Sequence, residues 1–387
     1  MKIGISLLSA RPQRTGVENA AFNLITHLSR MEGQDEYVIY ANTRNLPWLS
    51  ALSDCIRVVD VRLGCKRALW IWEHLFFLTS RRPKEVDVVH FPIGGGVIGY
   101  RGRFVLTVHD LKHYSHRELV KLRRHLLWRM WCNANIKRAA RVIAVSEHVK
   151  AEILREFPVA PDSVRVIANG VDQRFRPCTT TKTFKARYEL PERYVLFVGA
   201  TTANKNLRRA IDAVNLVRNR YQLEHQLIVA GLPGEDDVAL KSYVNGKHLE
   251  STVLFIGYVD DDDLPQLYSN AEVFLFPSIC EGFGIPPLEA MRCGVPVVAA
   301  FASCIPEVLG DAAIWVDPLK VESIAEGISK ALLNTNARNN AVAKGFVKAA
   351  DFSWKKMALE TINVYREAAG CRREALPHLS DAAVASE

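Results

Sequence analysis

The feature that most constrains this chain is an alternation, repeated along almost its whole length, of short apolar runs with longer amphipathic segments. Runs such as Phe274-Leu275-Phe276 and Val297-Val298 have no polar face. A strand of that kind must be covered on both sides, as central strands of parallel sheets are. Strands spaced by amphipathic stretches read as βαβ units. Strands are expected over Ile3–Leu8, Tyr37–Tyr40, Val58–Val61, Val86–Phe91, Phe104–Val108, Val142–Val145 and Val164–Ile167. After a break come Tyr194–Val198, Leu227–Ala230, Val253–Ile256, Val273–Phe276, Val295–Ala299 and Ala313–Val316. Helices are expected over Gly16–Ser29, Ala68–Ser80, Leu119–Arg138 and Glu147–Glu156.

The break lies in residues 173–190, where Pro177, a threonine run and mixed charges read as a solvated connection. The expected organisation is a Rossmann-like domain over 1–175 and a second over 176–352. An amphipathic helix then docks over 353–371, and a polar, alanine-rich tail occupies 372–387. A chain of 387 residues is long enough for two such cores. Two doubly wound parallel sheets place a ligand in the cleft between them, at the carboxyl ends of their strands.

Lys and Arg exceed Asp and Glu by 50 to 42, a formal charge of +8 that suits an anionic ligand or surface. No stretch reaches the roughly 20 apolar residues that span a bilayer. The first residues read as a buried strand rather than a signal peptide, so a cytoplasmic protein is expected. The eight cysteines form no CxxC pair, which favours reduced, buried thiols over a metal site.

The most informative segment is Phe276-Pro277-Ser278-Ile279-Cys280-Glu281-Gly282-Phe283-Gly284-Ile285-Pro286-Pro287-Leu288-Glu289. A strand ends at Pro277, a glycine-containing loop follows, and a helix is expected to open near Pro287, with Glu289 in its first turn. Gly282 and Gly284 leave room for a ligand to approach the backbone, and the helix N-terminus suits a diphosphate. Two carboxylates beside an anion-binding turn make sense when each accepts from hydroxyl groups. A nucleotide sugar has hydroxyls on both sides of its diphosphate. The plainer alternative is that Glu289 only caps its own helix.

Glu281 and Glu289, seven residues apart in EGFGIPPLE, resemble the paired-glutamate signature of retaining glycosyltransferases of family 4, which have the GT-B fold. The continuation Ala290-Met291-Arg292-Cys293-Gly294-Val295-Pro296-Val297-Val298 is similar to the same family. The resemblance implies that Glu281 contacts the transferred sugar, Glu289 the ribose, and the backbone at Phe283, Gly284 and Ile285 the sugar and phosphates. It sets Ser303 where the family has a small polar residue.

Supporting elements fall at other strand ends. Phe197-Val198-Gly199-Ala200-Thr201-Thr202-Ala203-Asn204-Lys205-Asn206 reads as strand, glycine turn and helix start, with Gly199, Lys205 and Asn206 as donor-binding candidates. Lys205 would neutralise the leaving phosphates as a point charge. Similar enzymes often carry an arginine directly after that glycine; here it is Ala200, and Arg208 is a candidate to stand in for it. Gly16, in Thr15-Gly16-Val17-Glu18, offers backbone N–H groups from the opposite wall, with Glu18 read as a helix-start acid. His109 in Thr107-Val108-His109-Asp110 matches the family's His-Asp element, which sets the histidine beside the transferred sugar, with Asp110 orienting it or the turn. Asn169-Gly170-Val171-Asp172 resembles a hinge element. The basic, aromatic segment from Lys121 to Trp131 reads either as an amphipathic helix with solvated charges or as a contact with an anionic membrane surface. No nucleic-acid module is present.

The expected activity is retaining transfer of a hexose from a nucleotide diphosphate sugar to a saccharide or lipid-linked acceptor, with His109, Glu281 and Lys205 as the catalytic set. No metal and no further cofactor are called for, and Asp260–Asp263 reads as a helix start. The resemblance is strongest to bacterial mannosyl- and rhamnosyltransferases of surface polysaccharide assembly, which makes GDP-mannose the first donor to consider. A UDP-hexose enzyme and a non-catalytic nucleotide-sugar-binding protein are the alternatives. A dinucleotide oxidoreductase ranks last, because no G-x-G-x-x-G follows the first strand.

Overall fold

The computed structural model of the protein describes residues 1–12, 15–31, 34–52, 56–61, 69–80, 82–93, 95–115, 122–179 and 181–370. The apolar runs form two parallel sheets. The first contains β1 (Lys2–Ser6), β2 (Glu36–Ala41), β3 (Ile56–Asp60), β4 (Val88–Phe91), β5 (Phe104–Val108), β6 (Arg141–Ala144) and β7 (Val164–Val166), ordered β3-β2-β1-β4-β5-β6-β7. The second contains β8 (Tyr194–Val198), β9 (Gln226–Ala230), β10 (Val253–Gly257), β11 (Val273–Phe276), β12 (Val297–Ala300) and β13 (Ile314–Val316), ordered β10-β9-β8-β11-β12-β13. Both are Rossmann-like sheets, as the resemblance to the GT-B fold implies, and their strand order reverses beside β1 and beside β8. Those reversals open the crevices where ligands enter such sheets.

Burial explains why these runs became central strands. Every residue of β11 and β12 is buried, so neither face tolerates a polar side chain. The helices between them put their apolar stripes on the sheets, as Leu207–Tyr221 does with Leu207, Ala210, Ile211, Val214 and Val217. The expected helices appear as Gly16–Leu28, Leu69–Thr79, Leu122–Ile136 and Glu147–Glu156. Lys121 and the tail after Gly370 lie outside the described residues.

Two expectations need correction. The connection after residue 173 is not simply solvated. It holds the helix Lys182–Arg187, where the Thr181 side chain caps the Phe184 N–H and Phe184 is buried. Cys178 is exposed against Ser269, whereas Cys132, Cys280, Cys293 and Cys304 are buried. Asp260–Asp263 leads into the helix Leu264–Ser269 as expected, with Asp263 as its N-cap; the Asp260 and Asp263 carboxylates take Arg187.

The last helix, Trp354–Ala369, returns to the first sheet and packs on Gly16–Leu28 and on β4, β5 and β6. Tyr365 Oη lies 2.7 Å from His90 Nδ1 beneath β4, and Glu367 takes both Arg141 and Arg165. The chain therefore crosses between the sheets twice. The crossings touch where Val171 N donates to the Phe352 carbonyl at 3.3 Å. Two adjacent crossings of this kind are where a hinge would lie if the two sheets moved relative to each other.

Candidate active site

The loops leaving the carboxyl ends of β1, β5, β8, β9, β10 and β11 meet in one cleft of about 410 Å³ between the sheets. Its walls include Gly16, His109, Gly199, Lys205, Glu281, Gly282, Phe283, Gly284, Ile285 and Glu289, so the structure brings together nearly all the residues singled out from the sequence. The first sheet contributes Gly16 and His109; the second contributes the rest. A β-carbon on Gly16 would meet no atom within 4 Å, so the N-terminus of its helix faces open space.

At the centre, Lys205 Nζ and Glu281 Oε1 are 2.6 Å apart, with both side chains mostly buried. The Lys205 ammonium also lies 5.3 Å from the centroid of the Phe276 ring, a cation–π contact that holds it over the end of β11. The Glu281 loop is fixed by Ser303, whose Oγ accepts from Glu281 N at 3.0 Å. Ser303 sits at φ 49°, a left-handed conformation that a non-glycine residue keeps only where its surroundings impose it. Asn204 joins the two loops: its amide donates to the Cys280 carbonyl at 3.0 Å, and its own carbonyl accepts from Ile279 N at 2.8 Å.

Glu289 lies in Ile285–Arg292, a helix that opens two residues earlier than expected, with Gly284 as its N-cap at φ 95°. Glu289 is thus beyond the first turn and does not cap the helix. Instead the Tyr268 hydroxyl donates to Glu289 Oε2 at 2.7 Å. Burial pushes the Glu289 carboxyl up to about 7. The Tyr268 hydrogen bond and the charge of Arg174 oppose that rise, and Asp261 and Asp172 add to it. A carboxyl poised near neutrality at a cleft wall suits ligand hydroxyls, which replace the water it has lost.

His109 Nε2 donates to the Pro92 carbonyl at 2.8 Å. Because a carbonyl only accepts, the neutral ring keeps its Nδ1 lone pair available. Burial holds the His109 pKa below the ordinary value, against the Pro92 carbonyl and the charges of Asp110 and Glu18. Asp110 serves the turn, accepting from Lys112 N at 3.4 Å, and Glu18 takes the Thr15 hydroxyl at its helix start.

Two sequence expectations are revised. Gly282 is explained by the opposite domain rather than by room for a ligand: a β-carbon there would fall 1.5 Å from the His109 carbonyl oxygen. Its own carbonyl accepts from Ser146 Oγ at 2.8 Å. Asn206 does not line the cleft. At φ 58° it turns its amide inward to the carbonyls of Pro277 (3.1 Å) and Pro318 (2.6 Å). Arg208 also stays out of the cleft, its guanidinium stacked over the Tyr243 ring at 4.4 Å. Sequence reasoning missed Tyr268 and Arg174; both lie outside the motif segments, and no local pattern marks them.

Residues 14–175 match the family model described as Glycosyltransferase Family 4, and residues 180–347 the model described as Glycosyl transferases group 1. The chain is 32% identical over 267 residues to the O-antigen chain mannosyltransferase B of Escherichia coli, covering 68% of this chain and 70% of that one. Sucrose-phosphate synthase from Thermosynechococcus elongatus superposes with a TM-score of 0.76 at 19% identity, over 95% of this chain and 98% of that one. The Anabaena protein HepE in complex with UDP-glucose does so at a TM-score of 0.73 and 19% identity, over 94% and 100% of the two chains.

Proposed function

The chain belongs to glycosyltransferase family 4, and on that premise we propose that it moves mannose from GDP-mannose to an acceptor hydroxyl, with retention at the anomeric carbon, in the assembly of a surface polysaccharide. The observation that carries the reading is the Lys205–Glu281 pair at the open centre of the cleft, with Glu289 on the same wall. A sugar seated on Glu281 has its leaving diphosphate beside Lys205 and the helix N-termini at Gly16 and Ile285. Charge that develops on the departing phosphate is then met by groups already in place, the arrangement that lowers such barriers most. Glu281 is engaged with Lys205, which leaves it as a hydrogen-bond acceptor for sugar hydroxyls rather than a nucleophile. The acceptor hydroxyl attacks from the side the phosphate leaves, and that phosphate takes its proton. Glu289 receives the ribose hydroxyls, and His109 Nδ1 accepts from a hydroxyl of the transferred sugar.

Mannose is favoured because the relative at 32% identity is named as an O-antigen chain mannosyltransferase. The test is to incubate the protein with GDP-mannose, UDP-glucose and UDP-N-acetylglucosamine and follow each by NMR. Consumption of GDP-mannose with an α-configured product supports the reading. Consumption of a UDP-sugar replaces the donor, a β-configured product removes retention, and binding without turnover makes the protein a nucleotide-sugar binder.

The acceptor we propose is a lipid-linked saccharide met at the cytoplasmic membrane face. No helix among the described residues is long and apolar enough to cross a membrane. The helix Leu69–Thr79 nevertheless exposes Ile71, Leu75 and Leu78 along one face. Ile98 and Met130, also exposed, flank it: Ile98 N bonds His74, and His74 packs on Trp131. The acidic residue of that helix, Glu73, is turned inward onto Ser6. An apolar helix face whose own acid turns inward, on a chain of charge +8, suits an anionic lipid surface. Flotation with phosphatidylglycerol-containing vesicles is expected, and its loss in Leu75→Glu; equal behaviour of both proteins would dismiss this contact.

A further inference from the structure

The cleft lacks the arginine that often follows the glycine of the β8 loop, since Ala200 stands there, and Arg208 is turned away onto Tyr243. The lysines and arginines that line the cleft among the described residues are Lys112, Arg174 and Lys205. Lys205 is paired with Glu281, and Lys112 lies 3.5 Å from Asp110. We propose that Arg174 is the missing cation, and that its guanidinium binds the donor's diphosphate from the hinge side of the cleft, at the Glu289 end.

Arg174 is held but not satisfied. Its Nε is buried and has no hydrogen-bond partner. The nearest carboxylates stand too far off to bond it: Asp172 Oδ2 is 3.9 Å from Nε, and Asp262 Oδ1 is 3.6 Å from Nη1. Asp172 spends its other oxygen on the backbone N–H of Arg174 at 2.9 Å, and Asp262 is wholly exposed, so that contact is weak and easily released. A buried guanidinium N–H without an acceptor is costly, and an anion that takes the planar fork removes the cost. The side chain is also kept in place for such a ligand. Its guanidinium lies 5.2 Å from the Phe175 ring centroid, and Arg292 Nε donates to the Phe175 carbonyl at 3.3 Å. That bond ties the segment to Ile285–Arg292, the helix that carries Glu289. Lys205 would then serve the phosphate nearer the sugar and Arg174 the one nearer the ribose, from a segment that belongs to the hinge.

This rests on the reading of Glu289 as the ribose end, and the experiment separates the two. Titration calorimetry of GDP, GMP and guanosine is run on the wild type, Arg174→Met and Arg174→Lys, with melting temperatures recorded alongside; UDP, UMP and uridine replace them if the wild type prefers uridine nucleotides. Loss of a charge-assisted bond is expected to weaken GDP binding about 10- to 100-fold in Arg174→Met, with Arg174→Lys intermediate and the nucleoside unaffected. Equal weakening of guanosine and GDP would make Arg174 a shaper of the cleft and overturn the proposal, as would unchanged GDP affinity. A wild type that binds no nucleotide overturns the donor reading, and this inference with it.

Discussion

Gly282 and His109 meet backbone to backbone across the cleft: the position a β-carbon would occupy on Gly282 is 1.5 Å from the His109 carbonyl oxygen. The loop that carries Glu281 therefore touches the strand end that carries His109 with nothing between them. The adjacent bond from Ser146 Oγ to the Gly282 carbonyl sets the height of that contact. Gly282→Ala must push the two apart. The contact joins a loop to a strand end and leaves the ladders of both sheets in place, so the expected result is a protein that melts near the wild-type temperature but loses about 10²-fold or more in kcat/KM, the scale of a 1 Å misplacement at a reacting centre. A steady-state assay beside a thermal melt decides it; an active Gly282→Ala variant would mean that the domains need not meet here.

Glu289 gives a pH signature. Its folded-state pKa of about 7 lies above the ordinary 4.5, so the folded protein binds this proton more tightly than the unfolded chain. Its contribution to stability is greatest below the lower value and is lost as pH rises through the upper one. Glu289→Gln removes the buried charge while leaving an acceptor for Tyr268. The variant is expected to be more stable than the wild type at about pH 8, by up to roughly 3 kcal/mol, with the gain shrinking toward about pH 5. Nucleotide affinity should fall in the same variant. Denaturant titrations at the two pH values check the first part; a gain independent of pH would contradict the assignment.

Asn206 separates a structural role from a binding one. Its amide joins the carbonyls of Pro277 and Pro318, and its left-handed backbone opens the helix Leu207–Tyr221. Asn206→Ala leaves two buried carbonyls without a donor and places alanine at positive φ. A loss of about 2–4 kcal/mol is expected, with nucleotide affinity of the folded protein nearly unchanged. Large loss of affinity at wild-type stability would restore the donor-binding role that the sequence suggested.

The fold was legible because its determinants are local. Runs such as those of β11 and β12 have no polar face, so they demanded a parallel sheet covered on both sides. The site was legible where a strand end, a glycine and a charged residue adjoin in sequence, as at Lys205, Glu281 and His109. It was not legible where the determinant is a contact between distant segments. Nothing near Tyr268 announces that its hydroxyl serves Glu289, and Gly282 is a glycine because of His109. Arg174 sits in a segment that reads as a hinge. The turn that holds Glu289 was misjudged for a smaller reason: two prolines in succession suit the second and third helical positions as well as the first.

The catalytic role proposed for the Lys205–Glu281 pair is tested by GDP release from GDP-mannose by the wild type, Lys205→Met and Glu281→Gln, with GDP binding measured on all three. Turnover by the wild type is expected, with a fall of about 10²- to 10³-fold in Lys205→Met, far more than its loss of GDP affinity, as the proposed stabilisation of the departing diphosphate requires. Glu281→Gln should lose turnover while keeping GDP, which does not reach the sugar subsite. If the variants turn over GDP-mannose at the wild-type rate, the 2.6 Å pair is an ordinary ion pair and the chemistry lies elsewhere in the cleft.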